Sequence, residues 1–350
     1  PHARAPRPSL PRPRTLRPRL LAAPVLAVAL LPLALNWAWA SRADDYTPRD
    51  WAYNVLMSVE PYGVLVTNGD NDSFPLWYLQ HVEGIREDVT IVLSPLLSTP
   101  WYARQLRDVT RPCPPGVEPD DDPTRIICQR PFDAGELPAS LVEAGWAGSV
   151  DSPVDSILPL DDAAIDRLGA VWFRTAEART FSAGRITSRI EAGTLLAPDA
   201  AFMAAILRAT LGDRPIYFMP ASPLARNLGL DRHVVRQGLV WEVANTPAIE
   251  PTADVVPMPD RLALFGAAVD LAMTDTLLWD VYLKRGRILD PDAPWADHST
   301  VSIPSQYTYT HYAAAQAHWL RGDTERALRH AREAEWWQAV ATNQRLEAGD

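Results

Sequence analysis

The chain is poor in cysteine: it has two in 350 residues, Cys113 and Cys128, both within a Pro- and Asp-rich stretch from Arg111 to Pro131. That scarcity rules out a framework of several disulfides. It also argues against a cysteine-based metal site, because no second pair and no His-rich spacing accompanies the two. Basic charge is scarce beyond residue 40. The first 40 residues carry six arginines and no acid, leaving 27 basic against 43 acidic residues after them, a body about sixteen charges negative. Nucleic-acid binding needs clustered positive charge, so the composition argues for no nucleic acid as partner. A Gly-rich phosphate loop, a Gly-x-Ser-x-Gly elbow, a Cys/His nucleophile pattern and the His-Glu-x-x-His of zinc hydrolases are absent as well. The histidines are scattered, and His311 and His318 read as packing or surface residues. No self-sufficient catalytic set is visible.

What is present begins with length and apolar content. With 47% hydrophobic residues the chain can bury a sizeable core and is expected to hold two units besides any membrane segment. Arg19 and Arg42 bracket 22 uncharged residues, Leu20 to Ser41. At about 1.5 Å per residue these reach the thickness of a bilayer core, so a transmembrane helix is expected over 20–41, kinked by Pro24 and Pro32. The arginines before it predict a basic cytoplasmic arm over 1–19, with the acidic body extracytoplasmic, on the periplasmic side in a bacterium, and Trp37 and Trp39 at the outer interface. A signal peptide cleaved after Ala38-Trp39-Ala40 is the rival reading, and it too exports the body. Pro1 stands where a Met would open a complete chain, which weakens that rival. In an exported body a disulfide between Cys113 and Cys128 is expected, worth about 3 kcal/mol, against the alternative of two unpaired thiols.

Periodicity predicts an α/β body over 42–258: a βαβ-containing, mostly parallel sheet with flanking helices, followed by a C-terminal α-helical unit over 259–350. Thr47 and Pro48 open a helix that runs through Glu60. Val64 to Val66 and Val89 to Leu93 read as strands around a helix from Ser73 to about Glu83. Helices are expected at Leu97 to Asp108 and Ala200 to Leu211, strands at Pro215 to Met219 and Gly238 to Val243, and irregular chain over 110–160. Beyond these, Arg261 to Arg285, Tyr307 to Arg321 and Asp323 to about Asn343 read as helices.

The stretch of densest polarity is Thr67-Asn68-Gly69-Asp70-Asn71-Asp72-Ser73, between a buried strand and an aromatic helix start. In an open α/β sheet the carboxyl end of a strand is the usual ligand crevice. Asp70-Asn71-Asp72 has the spacing that, in nucleotide-sugar transferases, holds a divalent cation. A structural reading competes: Asn68-Gly69 supplies a turn with positive φ, and Asp72 or Ser73 caps the helix that Pro75 helps to start. A third reading treats Asn68, Asp70, Asn71 and Asp72, beside the aromatic rings of Trp77 and Tyr78, as contacts for a sugar or a glycosylated peptide.

Asn36-Trp37, Tyr46-Thr47-Pro48-Arg49-Asp50-Trp51-Ala52-Tyr53-Asn54, the run from Thr67 to Gln80, Val82-Glu83-Gly84-Ile85-Arg86, Leu96-Leu97, Trp101-Tyr102, Arg214-Pro215-Ile216-Tyr217-Phe218 and Gly238-Leu239-Val240 together resemble domain-of-unknown-function family 2723. That resemblance implies multi-pass membrane glycosyltransferases of the C-type fold, similar to protein O-mannosyltransferases and using a lipid-linked sugar donor. The family's catalytic acid lies in an external loop of a multi-pass half, and no residue here matches it. The expectation is an external C-terminal region with the last spanning helix, with no catalytic residue, no metal ligand and no cofactor of its own, that positions an acceptor protein or glycan through Asn68, Asp70, Asn71, Asp72 and Trp77. Tyr312, Ala315, Trp319, Gly322, Asp323, Ala327, Leu328, Ala331 and Ala334 resemble one tetratricopeptide-type helix pair, expected to cap the α/β unit. Two alternatives follow: a membrane-anchored interaction module built on those helices, and a metal-dependent transferase using Asp70 and Asp72.

Overall fold

In a computed structural model the structure describes residues 17–148, 151–290 and 299–347; residues 1–16 of the basic arm lie outside the described residues. Residues up to Asp44 form one compact unit and Asp45–Asp350 a second. The first contains helix α1, Arg17–Ala40, with Pro24 and Pro32 inside it and the Asn36 side-chain amide donating to the Pro32 carbonyl at 2.7 Å. Among the described residues no helix is long and apolar enough to cross a membrane, which overturns the spanning helix expected over 20–41.

The second unit carries the remaining helices, α2 (Thr47–Leu56), α3 (Asp70–Glu83), α4 (Pro100–Val109), α5 (Ala139–Glu143), α6 (Asp162–Gly169), α7 (Pro198–Thr210), α8 (Pro223–Asn227), α9 (Leu271–Thr276), α10 (Ser302–Leu320) and α11 (Thr324–Glu347). Its strands are β1 (Val64–Thr67), β2 (Thr90–Leu93), β3 (Phe173–Arg174), β4 (Arg179–Ala183), β5 (Ile186–Ile190), β6 (Leu195–Leu196), β7 (Ile216–Phe218), β8 (Val234–Gln237), β9 (Val240–Val243), β10 (Val255–Pro257) and β11 (Ala268–Asp270). Seven strands form one sheet in the order β10-β11-β8-β9-β7-β1-β2, and β3 pairs with β6 and β4 with β5 outside it.

The sheet is mixed, which corrects the mostly parallel expectation. β1 runs parallel to β2 and β7, with Val64 opposite Thr90 and Ile216. β9 is antiparallel to both β7 and β8, β11 is parallel to β8, and β10 is antiparallel to β11. The β8–β9 reversal passes through Gly238 at φ +56, where an added Cβ would lie 2.0 Å from the Tyr282 hydroxyl; only glycine fits there. Arg261 to Arg285, expected as one helix, contains β11 and the short α9 instead. Gly266 turns the chain at φ +108, and Asp270 ends the strand by accepting from the Met273 N–H with its side chain. A short apolar run of this kind suits a buried strand as well as a helix.

Alternation along β1 sends Leu65 to one face of the sheet and Val64 and Val66 to the other, and each face has its own core. Leu65, Ile91, Tyr217 and Val269 join Trp51, Leu76, Leu79, Leu277 and Ala313 from α2, α3, α10 and the turn after α9. Val64, Val66, Val92 and Phe218 join Tyr102, Leu106, Ile165, Phe202 and Ile206 from α4, α6 and α7. α11 lies antiparallel on α10, its buried Trp337 stacked on Tyr307 at 4.6 Å.

Polar fasteners tie α2 to the rest. The buried Asn54 donates through Nδ2 to the Leu283 carbonyl (2.9 Å) and the Tyr307 hydroxyl (2.7 Å), and accepts through Oδ1 from the Leu283 N–H (2.7 Å). Arg285 forks onto Asp50, Arg49 pairs with Glu83 of α3, and Trp51 Nε1 donates to Gln306 of α10. The buried Arg86 pairs with Asp88 at 2.9 Å and donates to the Leu56 and Val59 carbonyls, the open end of α2. The sheet margins are occupied too. At β2, Tyr102 accepts from the Leu93 N–H and donates to the Ile91 carbonyl. At β10, Arg321 donates to the Val255 carbonyl, and Pro257 has no N–H. Cys113 and Cys128 are joined by a disulfide.

Asn54→Leu strands the Leu283 N–H and carbonyl and the Tyr307 hydroxyl; urea unfolding is expected to register a loss of about 3 kcal/mol or more. A loss under about 1 kcal/mol contradicts the fastening role. On β9, burial and then the charges of Glu60 and Asp270 push the Glu242 carboxyl up to about 8. The folded chain then holds a proton that the unfolded chain releases, so this group's stabilising contribution is full below the usual value near 4.5 and is lost as pH climbs to about 8. Thermal midpoints of the native chain are expected to fall across that window, and those of Glu242→Gln to fall less. Parallel curves would contradict the assignment.

Candidate functional site

The acidic loop lies at the carboxyl end of β1, flanked by the ends of the parallel neighbours β2 and β7. Thr67 accepts from the Ser94 N–H through its carbonyl, and the Asn68 side chain reaches the Pro220 carbonyl beyond β7 at 3.4 Å. α3 starts at once. Gly69 is its N-cap in extended backbone, φ −179°, so the positive-φ turn expected at Asn68-Gly69 is not used. The chain needs no reversal there, because the helix leads directly away from the strand end. Asp72, in the first turn, accepts from the Asn68 N–H through Oδ2 at 3.1 Å, and Ser73 links the Gly69 carbonyl and the Thr67 hydroxyl. Both acidic side chains complement the positive helix terminus. Burial raises the Asp72 carboxyl, and the Asn68 N–H opposes that shift. Pro75 stands inside the helix, with no N–H to give the Asn71 carbonyl.

Asp70, Asn71 and Asp72 face a groove of about 390 Å³ whose other walls are Pro48 and Trp51 of α2, Phe74 and Pro75 of α3, and Ser299, Thr300, Ser302, Ile303 and Gln306 at the start of α10. Asp70 and Asn71 are exposed, as is Phe74. Trp77 is elsewhere. Its ring is half-buried, stacks on Phe74 at 5.8 Å and lines a different cavity, of about 870 Å³, with Trp101, Tyr102, Arg104 and Arg130 between α3, α4 and the disulfide loop. Asn68 points away toward Pro220. Of the five residues singled out from the sequence, the groove therefore collects three, and its exposed aromatic face is that of Phe74, with Trp51 buried in the wall. A carboxylate, amides, hydroxyls and aromatic edges in one groove suit a ligand rich in hydroxyls.

The structure also gathers residues the sequence left scattered. His311 and His318, two helical turns apart on α10, meet His330 of α11 and Asp275 of α9. Asp275 accepts from, or shares a proton with, His318 Nε2 at 2.9 Å and His330 Nε2 at 3.0 Å, and His330 Nδ1 lies 3.0 Å from His311 Nδ1. All three histidines are buried. Burial, followed by the charges of His330, Lys284 and Arg329, pushes His311 down to about 2, so that ring is neutral. Asp275, His318 and His330 offer three ligand atoms within 4.8 Å of one another, whereas Asp70 and Asp72 join no such trio among the described residues. The seven-residue spacing of His311 and His318 is the signal that marks a shared helix face; His330 joins them only through the α10–α11 hairpin.

Asp72→Ala removes the bond to the Asn68 N–H and is expected to cost about 1 kcal/mol of stability, while Asp70→Ala, exposed, costs less than about 0.5 kcal/mol. Thermal or urea unfolding of the two single variants checks the order; equal losses would contradict it. In comparison with known proteins, a family model described as TMEM260-associated domain 2 matches residues 48–116, a span that holds α2, the acidic loop, α3, β2 and α4. No curated protein and no solved structure matches the chain.

Proposed function

We propose that the body of this chain is an extracytoplasmic accessory domain of a membrane glycosyltransferase system that resembles protein O-mannosyltransferases and draws on a lipid-linked sugar donor. Its part is to hold the acceptor protein or glycan. The observation that carries this reading is the groove lined by Asp70 and Asn71, by Ser299 and Ser302, and by the exposed ring of Phe74. Rings take the C–H faces of a sugar, while carboxylates and amides take its hydroxyls. Three further points support it. The family match spans one wall of the groove and the acidic loop. The disulfide suits an oxidising compartment. The groove sets hydrogen-bonding groups beside the exposed Phe74 ring, which suits a binding role.

The division of labour within the loop separates binding from folding. Asp72 is engaged by the Asn68 N–H and serves the helix start; Asp70 and Asn71 are open to a ligand. Titrating the full chain with short mannose oligosaccharides, and separately with a Ser/Thr-rich acceptor peptide, tests the reading by calorimetry or by tryptophan fluorescence. Asp70→Ala combined with Asn71→Ala is expected to weaken binding tenfold or more, with the thermal midpoint within about 2 °C of the native chain. Undiminished binding by that folded double variant, or no binding of either ligand by the native chain, would overturn the proposal.

A further inference from the structure

Outside the groove, the cluster between α9, α10 and α11 is chemically unusual. A carboxylate and two imidazoles from three helices converge, both histidines are almost wholly buried, and the Asp275 side chain is one-fifth exposed, opening the cluster to water on one side. The proton accounting at His330 is strained. Trp279 Nε1, which can only donate, lies 3.3 Å from His330 Nε2, and Asp275 Oδ1, which as a carboxylate can only accept, lies 3.0 Å from the same atom. If Nε2 is bare, it satisfies Trp279 but sets its lone pair against the carboxylate. If Nε2 carries the proton, it satisfies Asp275 and meets the indole N–H head on. Each arrangement leaves one repulsive contact.

In the first arrangement a cation on the Nε2 lone pair removes its repulsion with the carboxylate, and the Trp279 N–H, held at the longer 3.3 Å, gives up that acceptor. In it the proton of His330 sits on Nδ1 and is donated to His311 Nδ1 at 3.0 Å. That is the outer hydrogen bond by which a metal-ligating histidine is ordinarily oriented, and it leaves Nε2 as the ligand atom. His318 Nδ1 faces Asp323 Oδ2 across 3.9 Å, a charged neighbour beyond hydrogen-bond distance. Spacing is close. Two ligands each about 2.1 Å from one ion sit about 3.4 Å apart in the tetrahedral arrangement zinc prefers, and the two carboxylate–imidazole separations are 2.9 and 3.0 Å, so small outward shifts of the side chains admit an ion.

We propose that Asp275, His318 and His330 bind one divalent first-row transition ion, zinc in the first instance, through the Asp275 carboxylate and the two Nε2 atoms, with the remaining coordination completed by water on the open side. Two imidazoles among three donors select such an ion over calcium or magnesium. The neighbouring cations are Arg326, whose Nη1 lies 4.0 Å from Asp275 Oδ2, and Arg329 and Lys284, which lie over the Trp279 ring. Arg326 is two-thirds exposed and is also paired with Asp323 at 3.4 Å, so water and that carboxylate screen its charge. Because the ligands come from three helices, a bound ion ties the α10–α11 hairpin to α9.

The test uses the full chain, stripped with a chelator and titrated with zinc by calorimetry and with cobalt(II) by its visible d–d absorption. One equivalent is expected to bind, with a rise in the thermal midpoint, while His330→Ala and Asp275→Asn each weaken binding a hundredfold or more. His81→Ala, outside the cluster, is expected to leave binding unchanged. Circular dichroism establishes that the variants are folded. Should a variant unfold, the cobalt spectrum of the native chain decides, because bands of a nitrogen- and oxygen-ligated ion require the site. Absence of binding by the folded native chain, or equal binding by native chain and folded His330→Ala, would overturn the proposal and leave a proton-sharing clasp.

Discussion

The amide of Asn54 is the constraint on which the second unit depends. It lies wholly inside, where a polar group left without partners costs more than the bond it makes returns. Its donors and acceptor therefore dictate where the chain around Leu283 runs and where Tyr307 stands. Those two positions fix the path into α10, and α10 in turn forms the far wall of the groove and presents His311 and His318. Sheet, groove and histidine cluster thus share one anchor on α2. Arg86 completes that anchor from the other end, closing the carbonyls after Leu56 while its charge is met by Asp88.

Much of the first half of the unit was legible because its signals are local. A four-residue apolar run, a polar loop and an aromatic helix with Gly84 in the left-handed region after it describe β1, the loop and α3 without reference to anything distant. The antiparallel half of the sheet was not legible in the same way. Which strand lies beside β7 is decided by pairing with β9, some twenty residues on, and β11 finds β8 across a longer interval, so no periodicity reports it. The stretch around Ala268 to Leu271 is apolar in a way that either a helix or a strand satisfies.

The candidate site was legible as a location and less so as a set of side chains. Position beyond a strand end identified the loop; direction did not follow, because alternate residues of a helix start point to different surfaces. Hence Trp77 turns into another cavity and Asn68 toward Pro220, while Phe74 provides the exposed ring. The histidine cluster is the opposite case. Each residue is unremarkable in sequence, and only the packing of two helices against α9 makes them neighbours.

Both margins of the large sheet are sealed by side chains rather than by length or twist. Tyr102 occupies the free N–H and carbonyl of β2 with one hydroxyl, and on the far side Arg321 and Pro257 remove the acceptor and the donor that an incoming strand would use. At these positions the backbone is a poor template for an added strand, from a second copy or from an extended peptide. Self-association by strand addition, the usual hazard of an open sheet, is hindered at these two edges.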